Sequence, residues 1–364
     1  MSGAISPTSL SDAGWMSSLI SDAAGVRQQL QTLTNQASTG LVGTTYAGLG
    51  AGATVSLDLN PQIAELQTWQ ANINQATGTM QVTQSAVTQI QSIAQNLYAQ
   101  LDNLNGMSAS EVDSIAAQAN SDLTEVANLL DSTDGNTYVF GGADSTNPPV
   151  PNPDQILSSG FYTQIAAAVG NLSTNGAAAT AASTLAIAAS NAPGTSPFSA
   201  YMSQPAATLQ AETPMVQVGQ GQTVQVGLLA SANSAVASTG SSTTGSYMRD
   251  LMCALATIGS LSSSQVNDSG FQGLVQDVGN SLQGAMSAMA EDAGVLGNTQ
   301  TSLSTTQTEL SDTATALTTQ VSAVQNVDMA KTLSDLSLVQ TQMQASYQVI
   351  AGMSGLSLVK FLPT

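Results

Sequence analysis

Two columns of apolar residues spaced seven apart constrain this chain more than any other feature. Leu282, Met289, Leu296, Leu303, Leu310, Leu317 and Val324 form one; Leu66, Ile73, Met80, Val87, Ala94 and Leu101 form the other. Beside them run second columns, Met286, Ala293, Gln300, Gln307, Ala314 and Val321, and Trp69, Ala76, Thr83, Ile90, Leu97 and Leu104. A seven-residue repeat describes a helix whose apolar stripe is covered lengthwise by another helix. The chain therefore reads as mainly α: a long antiparallel coiled coil or helical bundle built from N- and C-terminal segments, with a β-containing middle domain. The bundle core is expected at Leu66, Ile73, Met80, Val87, Leu101, Leu296, Leu303, Leu310 and Leu317.

Shorter seams lie outside these columns. Met16, Leu19, Ala23, Val26, Leu30, Leu33 and Ala37 alternate by three and four in a helix that Ser9 or Ser11 caps. Ser38-Thr39-Gly40 ends it, glycine suiting a helix C-terminus. Beyond Val324 the register slips to Leu333, Leu336, Met343, Tyr347 and Ile350, as either a stutter within one helix or a break between two. Gly352, Gly355 and Pro363 flank the apolar tail Leu356-Ser-Leu-Val359.

Between the helical ends the texture changes. Gly40 to Asn60 reads as a connector with extended structure at Thr54 to Leu59, and Pro61 fits the first turn of the next helix. Asn105-Gly106 stops that helix and Ser110 starts another, with Ile115, Ala119, Leu123, Val126 and Leu130 as its face. Asp134-Gly135 signals a turn before strand-like Thr137 to Phe140, and Asn147 to Pro153 marks a boundary. Phe161 to Val169 reads as a short helix. Met215 to Val218 and Thr223 to Val226 flank a glycine loop as a hairpin. Ser238 to Ser246 is a linker, Tyr247 to Leu261 a helix, and a long helix follows from Phe271 to about Val327. The expected segments are 1–40, an assembly helix; 41–142, bundle; 143–245, an outer mixed or β domain; 246–327, bundle; and 328–364, a second assembly helix.

Composition excludes several functions. The net charge is −19, and the basic residues are Arg27, Arg249, Lys331 and Lys360. No basic stripe exists to displace counterions from nucleic acid, and anionic membranes repel such a chain. There is no histidine and one cysteine, which rules out a disulfide within the chain, zinc and haem ligation and Ser-His-Asp chemistry. Cys253, in an apolar stretch, reads as a buried structural thiol. No cofactor and no metal are expected. The carboxylates fall singly on polar faces, and 143–245 offers only Asp144, Asp154 and Glu212 where glycan hydrolysis needs two facing acids. Asp131 to Asn136 reads as a tight turn rather than a calcium loop. The N-terminus lacks the pattern of a cleaved signal peptide, and no run of about 18 apolar residues is present, so no membrane insertion is expected. The Ala-rich stretch Gly176 to Ser190 is too short and too weakly hydrophobic for that.

Two stretches carry a resemblance. Val295-Leu-Gly-Asn-Thr-Gln-Thr-Ser-Leu303 through Val324-Gln-Asn-Val-Asp-Met-Ala330 resembles the C-terminal region of bacterial flagellins, where a long helix leads to an Asp-Met-Ala signature. Leu30-x-x-Leu33, Ser38-Thr-Gly40 and Ile63-x-x-Leu66, with the heptads to Leu101, are similar to the N-terminal region in order and spacing. Within the family, Asp134 to Gly142 followed by Asn147-Pro-Pro149, and the ending Ala345-Ser-Tyr347 through Ser354 to Val359, look most like the hook–filament junction branch. One departure is the absence of basic and paired acidic residues from Leu41 to Gly50.

The resemblance implies a non-enzymatic, self-assembling subunit of the extracellular flagellum. It implies export through the flagellar secretion channel, terminal helices packed as an inner coiled coil, and terminal segments that order on assembly. The implied partners are copies of the chain, neighbouring axial proteins (a hook-associated protein and flagellin) and an export chaperone. The expected assembly residues are Met16, Leu19, Val26, Leu30, Leu33, Leu333, Leu336, Met343, Tyr347 and Ile350, whose seams find shelter only against sister molecules. The main filament flagellin is the nearest rival reading, and a secreted coiled-coil adhesin a more distant one.

Overall fold

The computed structural model describes residues 8–104 and 109–354. Asn105-Gly106, Gly355 and the tail from Leu356 lie outside the described residues. The chain is mainly α, with two small antiparallel hairpins in its middle. By packing it divides into two units. One holds the described residues up to Gln67 and those from Asp312 on; the other holds Thr68–Ser311.

The first unit contains α1 (Thr8–Thr39) and the opening residues of α2 (Gly52–Leu104). At the α1 terminus Gly40 adopts φ +74°, a left-handed conformation that glycine reaches without steric cost, and its N–H bonds the Gln36 carbonyl at 2.8 Å. Leu41 then forms an antiparallel bridge with Asn326, and the Val42 N–H donates to the Gln325 carbonyl at 2.7 Å.

α2 does not begin at Pro61. It begins at Gly52 and runs through Thr54 to Leu59, which are helical and not extended. Packing in this unit explains the difference. The Gly52 Cα lies so close to Val324 that a Cβ there would come within 3.0 Å of it, and Gln325 Nε2 donates to Ser56 Oγ at 3.2 Å. These contacts hold the preceding turns helical. The helical hydrogen bond that Pro61 cannot make falls on the carbonyl of Leu57, an exposed residue, where water can satisfy it.

In the second unit, α3 (Ala109–Leu130) buries Ile115, Ala119, Leu123, Val126 and Leu130, the face its spacing marks. It leads into the hairpin of β1 (Thr133–Asp134) and β2 (Thr137–Tyr138), turning at Gly135. The segment Asp131 to Asn136 is thus the tight turn expected from the sequence. Next come α4 (Gly160–Gly170), α5 (Leu172–Asn175), α6 (Ala177–Ala189) and α7 (Ala206–Ala211). The second hairpin pairs β3 (Met215–Gly219) with β4 (Gln222–Gln225), Val216 opposite Val224. Asn72 of α2 donates to the Gln217 carbonyl at 2.9 Å, and Thr79 donates to Asp134 at 2.9 Å, so α2 carries both hairpins.

α8 (Tyr247–Gly259) is buried on every face. Its two charges are satisfied separately. Arg249 donates to the carbonyls of Ser231 (3.0 Å), Ala188 (2.9 Å) and Ser190 (3.3 Å) and to Asn191 Oδ1 (2.7 Å), with Phe198 stacked 5.0 Å from the guanidinium. Burial lowers its pKa to about 10. Asp250 accepts from the Thr244 N–H and hydroxyl. Cys253 is buried as expected, and burial pushes its thiol up to about 12, far from reactive thiolate chemistry.

α9 (Phe271–Gln325) closes the second unit and continues into the first. In the second unit it lies beside α2: Gln307 Nε2 meets Asn74 Oδ1 at 3.3 Å, and Gly279 faces Leu101. Ile73, Met80, Val87 and Leu101 share one core with Leu296 and Leu303, and Leu310 packs against it. The same core takes in Phe161, Leu209, Val218 and Tyr247, so the middle of the chain and the long helices bury each other.

Candidate assembly interface

The register slip after Val324 is a break between two helices. α9 ends at Gln325, the Val327 N–H bonds the Gly40 carbonyl at 2.9 Å, and α10 (Met329–Ser354) starts afresh. Asp328 makes the new start: its Oδ1 accepts from the N–H groups of Ala330 (3.0 Å) and Lys331 (3.1 Å), two of the donors a helix N-terminus leaves unpaired. The Asp-Met-Ala stretch is therefore a helix cap.

From this bridge α10 runs back along α1, antiparallel to it. On α1, Leu19, Ala23, Val26, Leu30, Leu33 and Ala37 are half-buried, repeating by three and four. On α10, Thr332 and Val339 are buried, and Leu336, Met343, Ser346 and Ile350 half-buried at the same spacing. Arg27 donates to the Tyr347 hydroxyl at 2.9 Å from the flank of the pair. The α1 seam thus has its partner within the chain, which corrects the expectation that it shelters only against other copies. The physical reason is chain direction: the Leu41–Asn326 bridge aims the two terminal helices back along one another.

The ten residues expected at the assembly interface accordingly divide. Leu19, Val26, Leu30, Leu33, Leu336, Met343 and Ile350 lie on the half-buried faces of α1 and α10. Leu333 and Tyr347 do not; they are 52% and 43% exposed. The side chain of Met16 lies outside the described residues. Of the expected bundle residues in this unit, Leu66 is buried and Leu317 half-buried.

Exposure also finds residues that the heptad reading passed over. Ile20, Leu338 and Val349 are each about half exposed or more, and Tyr46, Leu57 and Met329 join them. Among the described residues, eight large exposed apolar side chains belong to the first unit, counting Leu333 and Tyr347, against Leu157, Met215 and Val295 in the larger second unit. Exposed apolar side chains of this kind mark a binding face where they form one contiguous patch. The signal available in the sequence was the off-seam position of Leu338 and Val349, which a search for one stripe per helix discards.

Among the described residues no group of three or more His, Cys, Asp or Glu side chains could hold a metal. Asp144 accepts from Asn147, Asp154 from Asn128, and Glu212 from the Tyr201 hydroxyl, so each carboxylate of the middle segment has an ordinary polar partner. No helix among the described residues is long and apolar enough to cross a membrane.

Two family models match the chain: the bacterial flagellin N-terminal helical region over residues 16–143 and the bacterial flagellin C-terminal helical region over residues 280–362. Together they span more than half of it. A comparison with curated proteins finds no match.

Proposed function

Because the chain belongs to the bacterial flagellin family, we propose that it is the subunit joining hook to filament. Membership makes it a structural, non-enzymatic component of the extracellular flagellum that assembles with copies of itself. The junction role is the finer step. The observation that carries it is the passage from Asp134 through Asn147-Pro-Pro149, which is similar to the junction branch and leads from α3 into the middle segment.

In this reading the half-buried seam between α1 and α10 stiffens each copy, and the exposed Ile20, Leu333, Leu338, Tyr347 and Val349 meet neighbouring copies. Polar Gln, Ser and Thr side chains fix their register. The neighbours along the axis are a hook-associated protein on one side and flagellin on the other. An export chaperone covers the exposed apolar residues before secretion.

Deleting the gene and imaging the cells tests the role. Hooks without filaments, with monomeric flagellin in the medium, are the expected result. The second reading, main filament flagellin, accords equally with the match to both flagellin helical regions. It predicts thousands of copies in purified flagella, where the junction predicts about one ring's worth.

A further inference from the structure

The main heptad column of α9 is nearly uniform. Leu282, Met289, Leu296, Leu303, Leu310 and Leu317 repeat with so little variation that sliding the helix by seven residues, ~10 Å along its axis, replaces leucine or methionine by its like. This column cannot select one register against α2. The neighbouring column can: it reads Met286, Ala293, Gln300, Gln307, Ala314, so two carboxamides interrupt an otherwise apolar series.

In the second unit these residues are half-buried, and one atom of each carboxamide is sequestered. Gln300 Nε2 and Gln307 Oε1 on α9, and Gln84 Oε1 on α2, are each buried without a protein partner. The other end of Gln307 reaches α2 directly, through Nε2 to Asn74 Oδ1 at 3.3 Å. On the same two helices Met80, Val87, Leu296 and Leu303 belong to the core and are all at most 4% exposed. A buried carboxamide atom with no protein partner is energetically unfavourable unless water satisfies it.

We propose that Gln84, Gln300 and Gln307 form a hydrated polar section within the α2–α9 seam that specifies its register at a cost in stability. In the native register Gln307 meets Asn74, and enclosed water serves the remaining atoms. A slip of one heptad moves Gln300 to the level of Asn74 or carries Gln307 to the present place of Gln300; either way one of the two carboxamides leaves the section and an alanine, Ala293 or Ala314, enters it, so the full set of polar positions recurs only in the native register. Polar positions in an apolar helix seam act this way, excluding wrong pairings rather than strengthening the right one.

The test is the full-length Gln300→Leu/Gln307→Leu variant, with Gln307→Met alone as a milder change, compared with the parent by thermal unfolding and by refolding from urea. The expected result is a melting temperature raised by several degrees in the double variant. With it comes an added slow refolding phase, as chains paired in a slipped register unzip and re-form. Gln307→Met shows the same trend more weakly. A lower melting temperature, or failure of the double variant to fold, would mean that the carboxamides are net stabilising and overturns the proposal. A higher melting temperature with unchanged refolding kinetics overturns it too, since the section would then carry a cost without selecting a register.

Discussion

Arg27 of α1 donates to the hydroxyl of Tyr347 on α10 at 2.9 Å, and this contact pairs a cation with a neutral group. It raises the Arg27 pKa, first through that hydrogen bond. Both residues are exposed, so the bond trims the edge of a seam that apolar side chains hold together. The nearby ion pair, Lys331 with Asp335 at 2.9 Å, lies within one helix turn of α10 and does not cross to α1.

Screening by salt therefore removes little from the α1–α10 pair. Hydrogen exchange of the α1 amides measured at low and at high ionic strength should give nearly the same protection. Tyr347→Phe should loosen α1 only slightly, and assembled material should not dissolve in moderate salt. A sharp loss of α1 protection on adding salt would show that charge, and not the leucine seam, holds these helices.

A single carboxylate on α9 ties down the residues that lead into the Ser238–Ser246 linker. Asp292, 1% exposed, accepts from three consecutive backbone N–H groups, those of Ser234 (2.9 Å), Ala235 (3.0 Å) and Val236 (3.1 Å). It also lies near the Tyr247 phenol, whose pKa stands well above its ordinary value through burial and then through Asp292. Asp292→Ala strips three donors of a charged acceptor. Hydrogen bonds to charged groups contribute about 1.5–3 kcal/mol each, and partial exposure of the loop reduces the sum, so a loss of about 3 kcal/mol is expected in urea denaturation. Protease cleavage should appear between Ser234 and Ser246, while the α8 core stays protected.

Asp131 supplies a test by pH. Its Oδ1 accepts from the Val150 N–H at 2.9 Å, but burial outweighs that bond and lifts the carboxyl from 3.8 to about 6. Between those values the folded state holds a proton that the unfolded state has released. The contribution of Asp131 to stability consequently falls as pH rises through about 4 to about 6, and stays low above. Asp131→Asn keeps the acceptor and omits the charge. Relative to the parent it should be more stable at pH 7.5, with the difference closing below pH 4. A variant less stable than the parent at pH 7.5 would mean that the ionised carboxylate is favoured in the fold.

The heptads made the long helices legible because a period of seven has one structural meaning. The hairpin at Met215–Gln225 and the buried face of α3 were equally plain, for period and turn chemistry agree there. Helix α6 carries no such signal. In Ala177–Ala189 alanine occupies nearly every position, so no apolar period stands out, although the high helix propensity of alanine and the buried Thr180, Thr184 and Ala188, four apart, were signals. Pro61 is a local cue, and it points to a helix start nine residues after the real one at Gly52. The packing of Gly52 and Ser56 against the end of α9 depends on residues more than 250 positions away. The terminal stripes were found, but one chain cannot reveal from its period which stripe it covers itself and which it leaves bare.

That distinction yields two contrasting pairs of substitutions on α10. Leu336 and Met343 are half-buried on one face, and Leu333 and Tyr347 are exposed. Leu336→Ser or Met343→Ser should weaken the monomer, by about 1–2 kcal/mol given their partial burial. Leu333→Ser and Tyr347→Ser should change monomer stability by less than about 0.5 kcal/mol, as surface substitutions do. If copies meet through the exposed face, each of the latter removes apolar area from the polymer and not from the monomer. Loss of one leucine contact at ~1.5 kcal/mol raises the concentration needed for assembly about tenfold. Thermal unfolding of the monomer beside sedimentation of assembled material separates the two effects. Normal assembly by Leu333→Ser would remove that face from the contact between copies and leave the α1–α10 seam as each copy's internal brace.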